Sequence, residues 1–261
     1  MSDAKTARGA IIGGKKNEHW IVVPGNDSLL SPLHWRKPRR IFVNSMSDLF
    51  HEAVPFEFID RVFAVMALTP RHTYQVCTKR PGRMAEYLRT RTDGKGNATD
   101  NIGHEMERLT DYTIGIAEHP WPLPNAWLGT SVENQAAADE RITHLLRCQA
   151  AVRFLSVEPL LGEVDLAPMM YRGTDHAGIQ WVIVGGESGS RARPCYVDDI
   201  EAIVRQCREA DVPVFVKQLG AKPFQSPQCD GGTGYELPIT DRKGADPAEW
   251  PADLRVRQWP K

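Results

Sequence analysis

The chain has 261 residues, 41% of them hydrophobic and 25% charged, with a net charge of −1. That length allows one large α/β domain or two small ones with a full core. The near-zero charge gives no global attraction to nucleic acid or anionic membrane, so binding of that kind must come from a local patch. Met1–Leu30 carries no signal-peptide pattern, and no run approaches the ~18 apolar residues of a membrane helix, so the chain reads as soluble and intracellular.

In chain order, residues 1–34 form an irregular N-terminal segment in which only Trp20–Val23 suggests a strand. From Arg39 onward, strands alternate with amphipathic segments. Ile41–Val43 precedes a helix over Glu57–Leu68, which carries Phe58, Ile59, Val62, Phe63 and Met66 at helical spacing. Tyr74–Cys77 precedes a helix opened by Pro81, with Met84, Tyr87 and Leu88 on its inner face. The segment 92–125 interrupts the alternation with its own helix-like stretch, Ile102–Leu109; a stretch of that size is a lid, a substrate wall or a surface excursion. Ala126–Gly129, Val152–Leu155, Trp181–Val184 and Val214–Val216 are the remaining strands. Helical patterns over Asn134–Cys148 and Val197–Ala210 lie among them. Residues 221–261 are Pro- and Gly-rich and read as a tail packed over the core, with Trp250 and Trp259 as anchors.

These strands are continuous apolar runs, as expected where both faces are covered. Helix-bearing connections between them imply parallel pairing. The expected fold is therefore α/β: a parallel (β/α) barrel, TIM-like but incomplete or irregular, spanning residues 35–220. An open doubly wound sheet is the alternative. The polar residues collect where strands end: Asn44–Asp48, Thr78–Arg80, Thr130–Asn134, Ser156–Pro159, Gly185–Ser188 and Lys217–Gln218. Such clustering is how a parallel barrel builds a site.

Asp48, Glu133, Glu158 and Glu187 are the candidate acid/base or ligand-positioning groups. Asn44, Ser45, Lys79, Arg80, Ser131, Gly185, Gly186 and Lys217 are the candidate ligand-binding set, with the cations as anion clamps. The competing reading of the same charges is a self-neutralising ring of ion pairs. Paired glycines at Gly185-Gly186, followed by Arg191 and Arg193, suit an anion, yet they complete neither a Walker loop nor a dinucleotide fingerprint. Arg36, Lys37, Arg39 and Arg40 beside Trp35 form either a nucleic-acid patch or a solvated approach to a strand. The eight histidines and five cysteines show no zinc spacing; Cys77, Cys148, Cys195, Cys207 and Cys229 read as reduced thiols, several of them core-packed.

The block Trp35–His51 (WRKPRRIFVNSMSDLFH) resembles a phage and prophage family of unknown function, phage protein gp-thirty-seven/gp-sixty-eight. LGTSVEN at Leu128–Asn134, FLSVEPLLG at Phe154–Gly162, WVIVGGESG at Trp181–Gly189 and FVKQLG at Phe215–Gly220 extend the likeness, as does the closing Trp250–Pro260. The resemblance implies a barrel similar to radical S-adenosylmethionine enzymes, in the cytoplasm of a bacterial host. It also implies a [4Fe–4S] cluster held by three closely spaced cysteines ahead of Trp35. This chain departs there, because its first cysteine is Cys77 and residues 1–34 look unrelated or rebuilt. Either the start is cut or mis-assigned, or the lineage has dropped the cluster, so no cofactor is evident in the chain itself. Gly185-Gly186-Glu187 ends a late strand, not the early one that carries the methionine-amine motif in those enzymes. The resulting expectation is a small anionic or nucleotide-like ligand at the strand ends. A non-catalytic nucleic-acid-binding or accessory protein and a divalent-metal hydrolase are the alternatives.

Overall fold

The computed structural model describes residues 26–44, 47–92, 100–110, 120–170, 178–226 and 234–260. Trp20–Val23, Ser45 and Cys229 lie outside them. Six strands form a parallel sheet: β1 (Arg40–Val43), β2 (Thr73–Thr78), β3 (Ala126–Ser131), β4 (Val152–Val157), β5 (Trp181–Gly185) and β7 (Val214–Gln218). Their order is β1-β2-β3-β4-β5-β7, each beside its predecessor, without the reversal that marks a doubly wound sheet. The fold is α/β and matches an incomplete TIM-like barrel. A separate small sheet joins β6 (Cys195–Tyr196), β8 (Pro223–Gln225) and β9 (Tyr235–Glu236).

Two compact units divide the chain, residues 1–128 with 147–151, and residues 129–146 with 152–261. In the first, α1 (Asn26–His34) ends where Arg71 donates to the carbonyls of Trp35, Leu33 and Pro32 at 2.8, 3.0 and 3.1 Å. A guanidinium thus satisfies carbonyls that the helix end leaves open. Buried His72 ties the same helix end to β1. Its Nδ1 accepts from the Arg39 N–H at 3.1 Å, which leaves the proton on Nε2, 3.1 Å from the Pro32 carbonyl. α2 (Phe56–Leu68) buries Ile59, Val62, Phe63 and Met66 of the face its periodicity marks, while Phe58 is only half-buried. Its Asp60 is only 2% exposed, and three donors hold it: Tyr87 Oη at 2.9 Å and Arg91 Nε and Nη2 at 2.7 and 2.9 Å. α3 (Pro81–Thr90) begins with proline in its first turn, as expected. The interrupting segment supplies α4 (Asp100–Thr110), which packs on α2 and pairs Glu105 with Arg61 at 3.7 Å.

In the second unit α5 (Gln135–Leu145) is capped by Asn134, whose Oδ1 accepts from the Ala137 N–H at 3.0 Å. α6 (Val197–Glu209) lays Ile200, Ile203, Val204 and Cys207 inward and packs on β5 and β7. The C-terminal segment runs along β7, with Val216 N–H donating to the Val256 carbonyl and Gln258 N–H to that of Val214, both at 2.9 Å. Trp259 packs on Trp181 at 4.8 Å with tilted rings and meets Phe215 edge to face at 5.3 Å between ring centroids, and Trp250 is buried. No helix among the described residues is long and apolar enough to cross a membrane.

Candidate functional site

In the first unit the end of β2 folds back on the turn after β1. Thr78 Oγ1 donates to Asp48 Oδ1 at 2.6 Å and accepts from the Arg80 N–H at 2.9 Å, which starts α3. Asp48 Oδ1 also accepts from the Phe50 N–H at 2.9 Å. Its Oδ2 accepts from the Lys79 N–H at 3.2 Å and from Arg80 Nη1 at 2.9 Å. The expected residues Asp48, Lys79 and Arg80 therefore do meet, Lys79 through its backbone. The carboxylate is occupied on both oxygens. Asn44 closes β1 in the left-handed region, at φ 58°.

In the second unit the loop after β4 laces three strand ends together. Leu160 N–H donates to the Gly185 carbonyl at 3.0 Å, and Leu161 N–H to that of Glu133 at 2.9 Å. Glu158 begins this loop and receives Lys217 Nζ at 2.8 Å and Gln218 Nε2 at 3.2 Å. The same Gln218 nitrogen reaches the Gly186 carbonyl at 2.9 Å, so one amide fixes the carboxylate to the backbone after β5. Lys217 remains 52% exposed in its side chain while Glu158 is 18% exposed. An ammonium has three donors, and one is used here on the protein.

Glu133 and Glu187 have partners of their own. Arg141, two turns into α5, binds Glu133 Oε2 and the Ser131 carbonyl, each at 2.8 Å. Arg193 grips Glu187 with Nε at 2.8 Å, Nη2 at 3.1 Å and its backbone N–H at 3.0 Å. That grip, side chain first and backbone second, lowers the Glu187 carboxyl to about 2. Glu133 adds to the negative field at Arg193, whose guanidinium is held more firmly protonated by these partners.

The glycines of the loop after β5 serve close packing. A Cβ on Gly186 would overlap the Leu219 carbonyl oxygen, and one on Gly185 would lie 2.8 Å from that of Gln218. Gly186 N–H donates to the Gln218 carbonyl at 3.1 Å, locking the ends of β5 and β7. Of the basic patch, Arg36, Lys37, Arg39 and Arg40 are all exposed, and the Arg39 guanidinium lies 4.5 Å from the Trp35 ring centroid. Sequence reasoning missed Gln218 as the bridge and Arg141 as the partner of Glu133. A Gln directly after a strand-end Lys was the available signal for the first.

Residues 5–243 match the family described as Protein of unknown function (DUF5131). The chain belongs to that family. No curated protein and no solved structure matches it. The DUF5131 match starts well ahead of Trp35, so most of the segment that looks unrelated or rebuilt is in fact family sequence. The three-thiolate donor set of an iron–sulfur cluster does not fit the described residues of this DUF5131 chain. Cys148, Cys195 and Cys207 are buried, and burial pushes the Cys195 and Cys207 thiols up to about 12. No group of three or more His, Cys, Asp or Glu among the described residues is placed to hold a metal ion.

Proposed function

We propose that this protein binds a small anionic, nucleotide-like ligand at the carboxyl ends of β4, β5 and β7, with Lys217 as the anion contact. The observation that carries the reading is the asymmetry of the Glu158–Lys217 pair, a sheltered carboxylate fixed by Gln218 beside a half-exposed ammonium. Anchored on one side and open on the other, Lys217 is oriented for a second acceptor. The likeness to a phage family with a radical-S-adenosylmethionine-like barrel supports a nucleotide-like occupant. The cysteines described above give no support to a cluster, so the reading is one of binding, with Glu158 and Glu187 as hydrogen-bond acceptors. Asp48, Glu133, Glu158 and Glu187 each hold a cation of the chain, which offers the metal-dependent hydrolase little to build on.

Calorimetric titration with inorganic phosphate and with adenosine monophosphate tests the reading. Both bind the wild-type chain, and Lys217→Ala weakens each about tenfold, the loss of one charge-assisted hydrogen bond. Equal affinity in Lys217→Ala, or no binding to either protein, overturns it.

A second reading rests on the exposed patch, where Arg39 stacks on Trp35 beside Arg36, Lys37 and Arg40. It predicts binding to single-stranded nucleic acid whose salt dependence flattens when the four cations become Gln.

A further inference from the structure

The first unit carries a second candidate contact face, distinct from the one built on Lys217. In the parallel register of β1 and β2, Phe42 stands opposite Gln75, so both side chains leave the sheet on one face. Phe42 is 43% exposed, unusual for a phenylalanine within a strand. Gln75 is 6% exposed, and its Nε2 has no hydrogen-bond partner. Two residues beyond Phe42, the Nδ2 of Asn44 is likewise buried without a partner, at a left-handed strand end. Buried amide donors are nearly always satisfied in folded proteins, so two of them, one within β2 and one just past the end of the adjacent β1, call for an acceptor. By strand alternation this face carries Arg40 ahead of Phe42 and Cys77 beyond Gln75, with no carboxylate among them.

We infer that Phe42, Gln75 and Asn44 form a pocket wall for an uncharged heteroaromatic ring, a nucleobase, stacked on Phe42 and accepting from the Gln75 amide through a ring nitrogen or carbonyl oxygen. Aromatic stacking tolerates any base, and amide donors suit the acceptor edges that bases present. The inference does not rest on the anion contact at Lys217, because a nucleoside has no phosphate.

Saturation-transfer NMR with the four ribonucleosides, and with ribose as control, tests it on the full chain. At least one nucleoside binds the wild type while ribose does not. Phe42→Ala weakens that binding about tenfold. Gln75→Met, an apolar side chain of similar shape, weakens it about fivefold and leaves the melting temperature of the free protein unchanged or higher. Lys217→Ala binds the nucleoside as wild type does, even where it has lost phosphate, which separates the two sites. No nucleoside binding, or binding indifferent to Phe42→Ala and Gln75→Met, overturns the inference. So does a lowered melting temperature in Gln75→Met, which would show the amide serving the fold.

Discussion

Asp48 and Glu158 stand at the same station of the fold, just past a strand of the parallel sheet, and each faces a cation at under 3 Å. Their surroundings differ. Asp48 receives four donors, two on each oxygen, and three of them come from the Thr78–Arg80 turn that launches α3. Glu158 receives one ammonium and one amide, and the ammonium reaches solvent. The first arrangement is architecture: the carboxylate is the pin on which a strand end and a helix start are hung. The second has capacity left over. Residue type does not separate the two, whereas the count of donors on each carboxylate does.

The contrast breaks if the Asp48–Arg80 and Glu158–Lys217 pairs respond alike to mutation, and the largest effect belongs to Asp48. Asp48→Ala removes the charged acceptor of the Thr78 hydroxyl proton and of the Arg80 guanidinium and is expected to cost about 3 kcal/mol, given what hydrogen bonds to a charged acceptor contribute. Asp48→Asn keeps Oδ1 as acceptor and should recover part of that loss. Lys217→Ala removes a half-exposed pair and should cost less than about 1 kcal/mol. Urea unfolding of the three variants measures all of this. Equal midpoints for Asp48→Ala and Lys217→Ala would remove the distinction.

Next in size is Gly186→Ala. Its added methyl meets the Leu219 backbone carbonyl, which cannot rotate away, so the ends of β5 and β7 must part. Overpacking of this kind costs roughly 2 kcal/mol. Because Gln218 ties Gly186 to Glu158, the same substitution is expected to weaken phosphate binding at Lys217 as well as stability. Thermal melts with and without phosphate separate the two effects. A variant as stable as wild type would mean that the loop has room a ligand could use directly.

Much of this was legible in advance, and the reason is periodicity. Continuous apolar runs such as Trp181–Val184 announce strands covered on both faces, and Pro81 and Asn134 mark helix starts through local chemistry. The small sheet was invisible because strands of two or three residues, such as Cys195–Tyr196 and Tyr235–Glu236, carry no period. α1 was hidden by Pro32 within it, and its end is satisfied by Arg71, far along the chain. The strand-end acids were visible as a set, and so were the cations Arg80, Lys217 and Arg193 and the prospect of ion pairs among them. Which acid each cation meets was not, since Glu158–Lys217 depends on strand order, and Arg141, two helical turns from Glu133, was missed. Gln75 lies unremarked in a strand read as a continuous apolar run, and only burial together with a missing partner turns it into an observation.

The smallest effect concerns Glu187, which sharpens the comparison through pH rather than stability. Its carboxyl sits at about 2, against 4.5 for an unperturbed glutamate, because Arg193 binds both oxygens. A carboxyl depressed in the folded state contributes stability above its unfolded value, near 4.5, and that contribution is lost as pH falls through about 2. Near neutrality Glu187 is therefore a fixed acceptor with almost no tendency to give or take a proton, which suits ligand positioning better than acid catalysis. Carboxyl NMR titration should find Glu187 near 2 in the wild type and displaced toward the ordinary glutamate range in Arg193→Met. An ordinary value in the wild type would mean that Arg193 does not stay clamped in solution. It would then be the guanidinium, rather than Lys217 alone, that stands open to an anion.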